Sequence, residues 1–353
     1  MNFDTHAVRP LEGVRILDLT RLLPGPFATH YLNELGATVV KIDDPARSDY
    51  AKALNPELYR LLNEKKEHMS MALKSGEDHE RFFEEVRNAD AVVESFRPGV
   101  MDAAGLGYDV LRRHNPALVY GALTGYGQTG PYRDRAGHDM NYLGYAGLLD
   151  QIGEANGPPV MANLQIADQA GGALAFALGV VAAILRARTS GRGAYVDVGM
   201  ADASLALLVN ATAALNMTGE APERGRDPLT GGLPNYRIYQ CADGRYFALG
   251  ALEPKFWMGF CNAVERPDLL SMSLSVGLDD DPLRDTLTAL FAAQPQAYWT
   301  ERLAHLDVCA TPVLTLDEAF ADPHMQARGV FEERDGQHTL RCPIRVADPT
   351  EDD

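Results

Sequence analysis

The sequence is poor in cysteine, and its cysteines do not cluster. Cys241, Cys261, Cys309 and Cys342 are widely spaced in 353 residues, without a CxxC pair or neighbouring histidines. This spacing argues against structural zinc sites and against a disulfide framework. We therefore expect ordinary core or surface thiols and no bound metal.

Positive charge is also scarce. The 49 Asp and Glu residues outnumber the 32 Lys and Arg residues, which gives a formal net charge of −17, and no long block of like charge stands out. Such an acidic chain favours solubility and disfavours nonspecific contact with phosphate backbones. We expect no nucleic-acid partner.

Long apolar runs are missing too. The longest, Gly172 to Leu185, is shorter than the roughly 20 residues that cross a bilayer. The first residues, MNFDTHAVRPLEG, show no basic stretch followed by an apolar core. We expect no membrane partner and a cytoplasmic protein.

Nucleotide-binding motifs are absent or incomplete. No G-x-x-x-x-G-K-[ST] occurs, so nothing supports ATP chemistry. Gly125, Gly127 and Gly130 satisfy G-x-G-x-x-G after a predicted strand, but Pro131 and a polar segment follow. A dinucleotide site requires a helix there, with its N-terminus facing the pyrophosphate. This loop is more typical of a tight turn near some other ligand.

What the sequence does contain is an alternation of short apolar runs and helical patterns. VRILDL predicts a strand, Pro26 suits the first turn of the next helix, and Gly36 suits a left-handed residue at its end. The alternation continues through SMAL, DHERFFEEVRNA, DAVVES, YDVLRRH, LVYGAL, a long apolar helix over 168–188, AYVDVGM and a further helix, ADASLALLVNATAAL. This order predicts an α/β fold with a Rossmann-like parallel sheet.

The composition changes after residue 215. Glycine, proline and charge dominate 216–234, which predicts a linker between a large domain (1–215) and a small one. Asp243-Gly244 predicts a hairpin turn, and helical patterns near 255–264, 282–293 and 296–305 make 235–315 a smaller α+β domain. The chain from about residue 325 is polar and loop-like, and segment 316–353 is expected to return to the large domain.

The segment AGHDMNY places two ionisable side chains, His138 and Asp139, next to each other. Histidine titrates near pH 6.5 (about the range that acid–base catalysis requires), but eight other histidines are scattered along the chain. A polar turn explains the pair as well as a functional site does.

Two further carboxylates have a structural and a functional interpretation. Asp168 opens the long apolar helix, where it either caps the free amides or works beside amides that hold a developing oxyanion. Glu253 precedes Pro254, where a surface turn is the simpler interpretation. Spacing alone does not join residues 138, 168 and 253.

Taken together, five ordered segments resemble the family III CoA-transferases, and within them the 2-methylacyl-CoA racemase branch. The resemblance covers roughly residues 10 to 325 and rests on LEGVRILDLTRLLPGPFATHYLNELGATVVKI, ESFRPGVMDAAGLGYDVL, LTGYGQTGP, AGHDMNYLGYAGLL and CADGRYFALGALEPKFW. It implies an acyl-CoA substrate and no cofactor other than that bound coenzyme A.

The resemblance to the racemase branch implies catalytic roles for four residues. His138 and Asp168 match the two opposing acid/base groups, Glu253 matches the glutamate that supports the histidine, and Asp139 matches the aspartate that pairs with the helix-start aspartate. Inversion next to a thioester needs proton removal on one face and return on the other, which suits two bases. In transferases, the residue matching Asp168 is instead a nucleophile.

The choice between these chemistries rests on few residues. Transferases of the formyl-CoA and carnitine type usually lack the histidine, and the formyl-CoA type carries a glycine-rich loop where this chain has only Gly231-Gly232. His138 therefore favours a racemase. A CoA-transferase that uses Asp168 as nucleophile stays the alternative, and a non-catalytic CoA-binding protein is a third.

For coenzyme A, the resemblance points to Lys66, Arg97 and the TGYGQTGP loop with Tyr126 and Gly127, and to Tyr142. Two positions depart from the family pattern. An arginine commonly follows the VVKI-acid segment, but this chain has Asp44 there, with Arg47 a few residues on. A Lys-Arg pair in the next loop is replaced by Lys66-Glu67. Both changes weaken the expected phosphate contacts.

The resemblance also implies a homodimer of interlocked chains. In that arrangement the active site lies between the large domain of one chain and the small domain of the other, so that Glu253 would act on His138 of the partner subunit.

Overall fold

The computed structural model describes residues 8–45, 48–73, 76–277, 279 and 281–348. Its described residues form two compact units. The large unit lies within 1–148, 162–208 and 326–353, and the small unit within 149–161 and 209–325. Besides the predicted small domain 235–315, the small unit includes 149–161, 209–234 and 316–325; the predicted domain boundaries stay a prediction.

A parallel sheet with the strand order β3-β2-β1-β4-β5-β6 is the centre of the large unit. Its strands are β1 (Arg15–Leu19), β2 (Thr38–Asp43), β3 (Glu67–Ser70), β4 (Ala91–Glu94), β5 (Val119–Thr124) and β6 (Ala194–Gly199). The order reverses between β1 and β4, which leaves a crevice outside their carboxyl ends. The predicted mixed α/β fold with a parallel sheet is confirmed.

The large unit also contains nine α-helices among its described residues, of which α1, α8 and α9 contact strands of the sheet. They are α1 (Pro24–Glu34), α2 (Ala51–Leu54), α3 (Pro56–Asn63), α4 (Gly76–Arg87), α5 (Val100–Ala103), α6 (Tyr108–His114), α7 (Asp139–Tyr145), α8 (Leu174–Ser190) and α9 (Met200–Ala206). In α4, Phe82 and Val86 are buried, one helical turn apart. Gly36 follows α1 with φ +110°, as the sequence predicts.

Helix α8 continues a π-helical segment, Ala167–Ala173, so the whole helix has 24 residues, and an 18-residue stretch of it has a mean hydropathy of 1.9. Among the described residues it passes the length and composition test for a membrane span, and α9 with the helix after it would be a second if counted together. The core helix of a soluble protein can have the same length and composition. Phe176, Val180 and Ile184 are buried, and α8 contacts β5 and β6.

Two predicted elements are placed differently. The strand predicted at SMAL (70–73) is β3 at Glu67–Ser70, because pairing with β2 ends at Asp43 and Ser70. The single helix predicted over 201–215 is two, α9 and α10 (Val209–Thr218). The break coincides with the start of the small unit at Val209, whereas the apolar pattern runs through it.

The small unit contains an antiparallel sheet of β7 (Tyr236–Gln240), β8 (Tyr246–Gly250) and β9 (Ala310–Pro312). Its later helices are α11 (Pro254–Ala263), α12 (Pro282–Ala292), α13 (Gln296–Leu303) and α14 (Leu316–Ala321). The predicted hairpin has its turn at Gly244 (φ +79°). Phe247, Phe260 and Phe291 are fully buried and form the centre of the core.

Segment 149–161 belongs to the small unit because two arginines hold it there. The Arg224 guanidinium donates to the Asp150 carboxylate (2.8 Å) and to the Gly157 carbonyl (3.1 Å), and Arg226 donates to Asn156 Oδ1 (2.9 Å). These contacts join distant parts of the chain, so composition alone gives no sign of them.

The C-terminal segment is more regular than predicted. After α15 (Pro323–Arg328), β10 (Phe331–Arg334) and β11 (Gln337–Leu340) form a hairpin. Gly336, with φ +76°, supplies its turn, and Glu332 accepts from Lys65 at 3.4 Å. The short, polar strands lack an apolar alternation that the sequence would reveal.

Candidate active site

His138 has an extended backbone conformation and immediately precedes α7. Its backbone N–H donates to Asn141 Oδ1 (3.0 Å), and the Asn141 N–H donates to the His138 carbonyl (2.8 Å). These reciprocal bonds fix the backbone at the helix start, while the imidazole is exposed. The backbone of His138 is therefore fixed, and its ring is accessible from solvent.

Tyr142, one turn into α7, holds the loop before His138. Its hydroxyl donates to the Gly137 carbonyl at 2.5 Å. A Cβ at Gly125 or Gly137 would lie 2.4 or 2.6 Å from the tyrosine ring, closer than packing allows. Both glycines are therefore needed for this close approach, which explains part of the glycine content of the two motifs.

Asp168 is the second residue of the π-helical segment, not the N-cap, since the helix begins at Ala167 after Ile166. Its backbone N–H donates to Asp139 Oδ1 at 2.9 Å. Of the two roles predicted for Asp168, the structure does not show the helix cap: its side chain makes no capping hydrogen bond, and its own amide donates to Asp139.

Burial, and to a smaller extent the negative charge of Asp139, raise the pKa of Asp168 to about 7. Both effects disfavour the ionised form, because the carboxyl is partly desolvated and faces a like charge. A carboxyl that titrates near neutral pH is suited to giving and taking a proton. Strongly shifted groups of this kind are concentrated at functional sites.

The segment that carries Asp168 packs tightly against α9. A Cβ at Gly172 would lie 2.6 Å from Met200 Cγ and 2.9 Å from the Ala167 carbonyl oxygen, and one at Gly171 would lie 3.2 Å from Ser204 Oγ. A π-helical turn is uncommon and often accompanies a functional site. Here it places the backbone N–H of Asp168 toward α7.

Tyr126 and Gly127 lie beside this group. The Tyr126 ring is edge-on to Tyr142, with 5.2 Å between the ring centroids. Tyr126 and Gly127 also line a cavity of about 390 Å³ whose acidic lining residues are Asp197 and Asp202. Burial and the neighbouring Asp197 raise the pKa of Asp202; the sequence analysis did not single out either carboxylate.

Burial and the negative charge of Asp168 raise the pKa of Tyr142. The side chain of Arg97 is exposed, and its positive charge has a smaller, opposite effect on that pKa. The structure therefore brings Arg97, Tyr126, Tyr142, Asp139 and Asp168 into one neighbourhood of the large unit. Their roles in catalysis and coenzyme A binding stay predictions.

Lys66 is placed differently from these residues. Its side chain is 1% exposed, and its ammonium donates to Asp18 Oδ2, the Pro26 carbonyl, Thr29 Oγ1 and Asn63 Oδ1 at 2.7 to 3.2 Å. Burial lowers the pKa of Lys66 to about 8, against the opposing effect of Asp18. All its donors are used internally, so its predicted phosphate contact has no support in this arrangement.

Asp18, which the sequence analysis did not identify, is the anion of that buried group. Burial opposes its ionisation, but Lys41, Lys66, Thr20 and Thr29 outweigh it and lower the pKa of Asp18 to about 2. Lys41 Nζ lies 3.7 Å from Asp18 Oδ1. A lone acid inside the first apolar strand is a signal that could have predicted such a buried partner for a lysine.

Glu253 belongs to the small unit, where it is the exposed N-cap residue of α11 with no side-chain capping bond. Its predicted support of the histidine stays a prediction. Among the described residues, no group of three or more His, Cys, Asp or Glu side chains is placed to hold a metal ion. Arg47 lies outside the described residues.

The fold and the site define a class: a two-unit α/β protein with a Rossmann-type sheet and a paired-carboxylate site at a helix start. The sequence profile of CoA-transferase family III matches residues 11–351, and the chain belongs to that family. It is therefore an enzyme of the family III CoA-transferase and racemase superfamily.

Its relatives include both kinds of enzyme. Alpha-methylacyl-CoA racemase of Homo sapiens is 35% identical over 92% of this chain and 84% of its own length. Acetyl-CoA:oxalate CoA-transferase of Acetobacter aceti is 31% identical over 96% of this chain and 89% of its own length. Among solved structures, a CAIB/BAIF family protein from Brucella suis has a TM-score of 0.83 at 27% identity, covering 96% and 93% of the two chains.

Proposed function

We propose that the protein is an isomerase that inverts the C2 centre of a 2-methylacyl-CoA by moving a proton through an enolate. The observation that carries this proposal is the Asp168 carboxyl, whose pKa is raised to about 7. The backbone N–H of Asp168 donates to the carboxylate of Asp139, the residue that follows His138. At neutral pH the Asp168 carboxyl is present in both protonation states, as a two-base exchange requires.

In one direction, neutral His138 removes the proton from C2 of the thioester, and the electron pair passes to the carbonyl oxygen as an enolate. Protonated Asp168 then delivers its proton to the opposite face of C2. The reverse reaction exchanges the two roles. Asp139 supports the proton-bearing form of Asp168, because its negative charge disfavours a second carboxylate nearby.

The enolate oxygen needs a donor, and the Asp168 N–H is suitably placed. In the free protein this N–H donates to Asp139 Oδ1. Binding of the thioester would then exchange one anionic acceptor for another at the same amide. A single donor of this kind contributes about 3–4 kcal/mol to stabilisation of the transition state.

Acyl-CoA is the substrate class, with Arg97, Tyr126, Gly127 and Tyr142 contributing to its binding near the reacting carbon. Arg97 is exposed and suited to a phosphate or a carbonyl oxygen. Lys66 would have a structural role, because its hydrogen bonds to Asp18 and to the Pro26 carbonyl join β1 to the start of α1. We place the enzyme in the cytoplasm.

A homodimer is part of the proposal. The outer side of α8 exposes Leu174, Leu178 and Leu185 by 42%, 72% and 66%, and such an apolar stripe is typical of an interface. In the interlocked arrangement expected for the family, Glu253 orients His138 of the partner subunit. Each active site would then need both chains.

The decisive experiment incubates the protein with (S)-2-methylacyl-CoA in D₂O and follows deuterium at C2 and configuration. We expect incorporation and inversion without any added carboxylic acid. His138→Ala and Asp168→Ala should each lower inversion by about 10²–10⁴-fold, while His305→Ala, at an exposed histidine of the small unit, should not. Near-normal α-proton exchange in either active-site variant would exclude the two-base scheme.

The second candidate is a CoA-transferase, favoured by the similarity to the oxalate enzyme. Here the Asp168 carboxylate attacks the thioester carbonyl and releases CoA thiolate, which then attacks the resulting anhydride and leaves an Asp168 thioester and a free acid. Incubation of acyl-CoA with several carboxylic acids tests this reaction. Transfer that depends on the acceptor, with an Asp168 adduct trapped by hydroxylamine or borohydride, would replace the racemase proposal.

A further inference from the structure

The turn that carries Asp168 has hydrogen bonds of unusual span. The Gly171 N–H donates to the Ile166 carbonyl, five residues back, at 2.9 Å. The Leu174 N–H, at the first residue of α8, likewise donates to the Gln169 carbonyl five residues back. An α-helical bond spans four residues, so each of these turns holds one residue more. Asp168 lies inside the first of them and points in a different direction from the one that an unbroken α-helix would give it.

This direction decides which group the Asp168 backbone contacts. Asp168 is the second residue of the π-helical segment, and the first four N–H groups of a helix have no acceptor inside it. The N–H of Asp168 therefore needs an acceptor from elsewhere in the fold, and that acceptor is Asp139 Oδ1 at 2.9 Å. The same arrangement exposes the Asp168 carboxyl to the negative charge of Asp139. The shape of the turn thus determines the paired-carboxylate site.

Gly172 is the residue of the turn that leaves room for this shape. It is buried, and a Cβ at its position would lie 2.6 Å from Met200 Cγ and 2.9 Å from the Ala167 carbonyl oxygen. The Met200 side chain is flexible and can shift. The Ala167 carbonyl belongs to the backbone of the turn itself, so moving it changes the shape of the turn. A side chain at residue 172 therefore opposes the π-helical geometry directly.

We propose that Gly172 is a positioning residue for the reaction of Asp168. Because it has no side chain, the turn keeps its π-helical hydrogen bonds, and these hold the Asp168 carboxyl beside Asp139 and at the substrate carbon. Gly172 acts only through the turn. The inference rests on the proposed function for the reaction that Asp168 performs, and it adds a residue on which this reaction depends.

Gly172→Ala tests this role. Alanine favours the α-helix more than any other residue, and its Cβ displaces the Ala167 carbonyl. Asp168 then moves away from Asp139 and from C2 of the thioester. A displacement of about 1 Å at a reacting group can cost about 100-fold in rate. We expect kcat for C2 deuterium exchange to fall by about this factor, with KM little changed, because the residues proposed to bind acyl-CoA lie outside the turn.

The pH profile separates a positioning role from a merely structural one. Loss of the Asp139 charge removes one of the causes that raise the pKa of Asp168, so the exchange that remains in Gly172→Ala should have its limbs at lower pH. Gly179→Ala is the matched control, since a Cβ at Gly179 in α8 would lie 3.0 Å from a side-chain atom, Val196 Cγ1. Its rate and its limbs should stay at the wild-type values. Limbs of Gly172→Ala that stay there as well would overturn the proposal.

A double variant, Gly172→Ala with Met200→Ala, tests whether simple crowding explains the loss. Removal of the Met200 side chain relieves the contact with α9 and leaves the contact with the Ala167 carbonyl. The double variant therefore carries the test even if Gly172→Ala alone does not fold. Exchange about 100-fold slower than in Met200→Ala is the expected result. Recovery to the rate of Met200→Ala would show that the glycine only makes room for α9, and would overturn the proposal.

The crystal structure of the double variant gives a result that does not depend on turnover. The Gly171 N–H should donate to the carbonyl four residues back, and the Asp168 N–H should have left Asp139 Oδ1. A turn that keeps its five-residue bond would overturn the proposal, as would an altered turn with the exchange rate of Met200→Ala. If the turn is altered while the wild-type protein exchanges no deuterium at C2, the proposed function fails and the positioning of Asp168 by Gly172 stands.

Discussion

The backbone N–H of Asp168 donates a 2.9 Å hydrogen bond to Asp139 Oδ1, joining two carboxyl-bearing residues that lie 29 positions apart in the chain. One residue begins α7, next to His138, and the other lies in the first turn of the π-helical segment. The contact holds the two helix starts together and places a negative charge close to a carboxyl that is already partly desolvated. Together with burial, this charge raises the pKa of Asp168.

Replacing Asp139 by Asn should lower the pKa of Asp168, because the neighbouring negative charge that helps to raise it is removed. In the direction in which Asp168 delivers the proton, activity falls as pH rises through that pKa, so this limb should move to lower pH. In the opposite direction Asp168 must be ionised to remove the proton, so activity falls as pH falls through the same pKa. This acid limb should also move to lower pH.

The profiles are measured by C2 deuterium exchange from each enantiomer between pH 5 and 9. Asp134→Asn, at an exposed carboxylate paired with Arg133 at 3.2 Å, serves as the control and should leave both limbs in place. Limbs of Asp139→Asn that coincide with those of the wild-type protein would show that Asp139 does not tune Asp168.

Asp168→Asn should stabilise the protein at alkaline pH. The folded-state pKa of Asp168, about 7, lies above the ordinary pKa of 3.8 for an aspartate. The protonated acid therefore favours folding at low pH, and this contribution is lost as pH rises from about 4 to 7. The neutral amide does not lose it.

The free energy of unfolding of Asp168→Asn, relative to the wild-type protein, should therefore rise by on the order of 2 kcal/mol between pH 4 and pH 8, allowing for partial solvent screening. Urea titrations across this range, with Asp134→Asn as the control, measure the difference. A difference independent of pH would mean that the Asp168 carboxyl ionises as readily in the folded protein as in the unfolded chain.

The buried group around Asp18 should be essential for folding. Asp18→Asn leaves the ammonium groups of Lys41 and Lys66, both 1% exposed, without their carboxylate. Removing one partner of a buried ion pair typically costs about 3–5 kcal/mol. Urea denaturation should show a loss of this size, and replacement of the exposed Glu12 by Gln should have little effect. A loss below about 1 kcal/mol would place Asp18 among ordinary surface ion pairs.

The apolar stripe on α8 should govern association. Leu178→Glu introduces a charge at a side chain that is 72% exposed in the single chain, so a folded monomer tolerates it but an apolar interface does not. Light scattering after size exclusion should show a dimer for the wild-type protein and a monomer for the variant. Leu54→Glu, at an 80% exposed leucine of α2, is the matched control. An unchanged dimer in Leu178→Glu would place the interface elsewhere.

Much of the fold is predictable because local patterns determine it. Periodicity and backbone preference predict the alternation of strands with helices, the apolar strands β1, β4 and β5, and the turn glycines Gly36 and Gly244. They do not predict the placement of 149–161, since it depends on contacts with residues far away in the chain. They do not predict the break between α9 and α10 either, because the apolar pattern runs through it.

The sequence by itself determined the parallel α/β architecture, the family, and the side chains available for chemistry: His138, Asp139, Asp168 and Glu253. Only the tertiary structure decided that the Asp168 amide bonds to Asp139 and that Lys66 is buried against Asp18. The physical reason is that desolvation and charge–charge interaction depend on distance in space, which separation along the chain does not give.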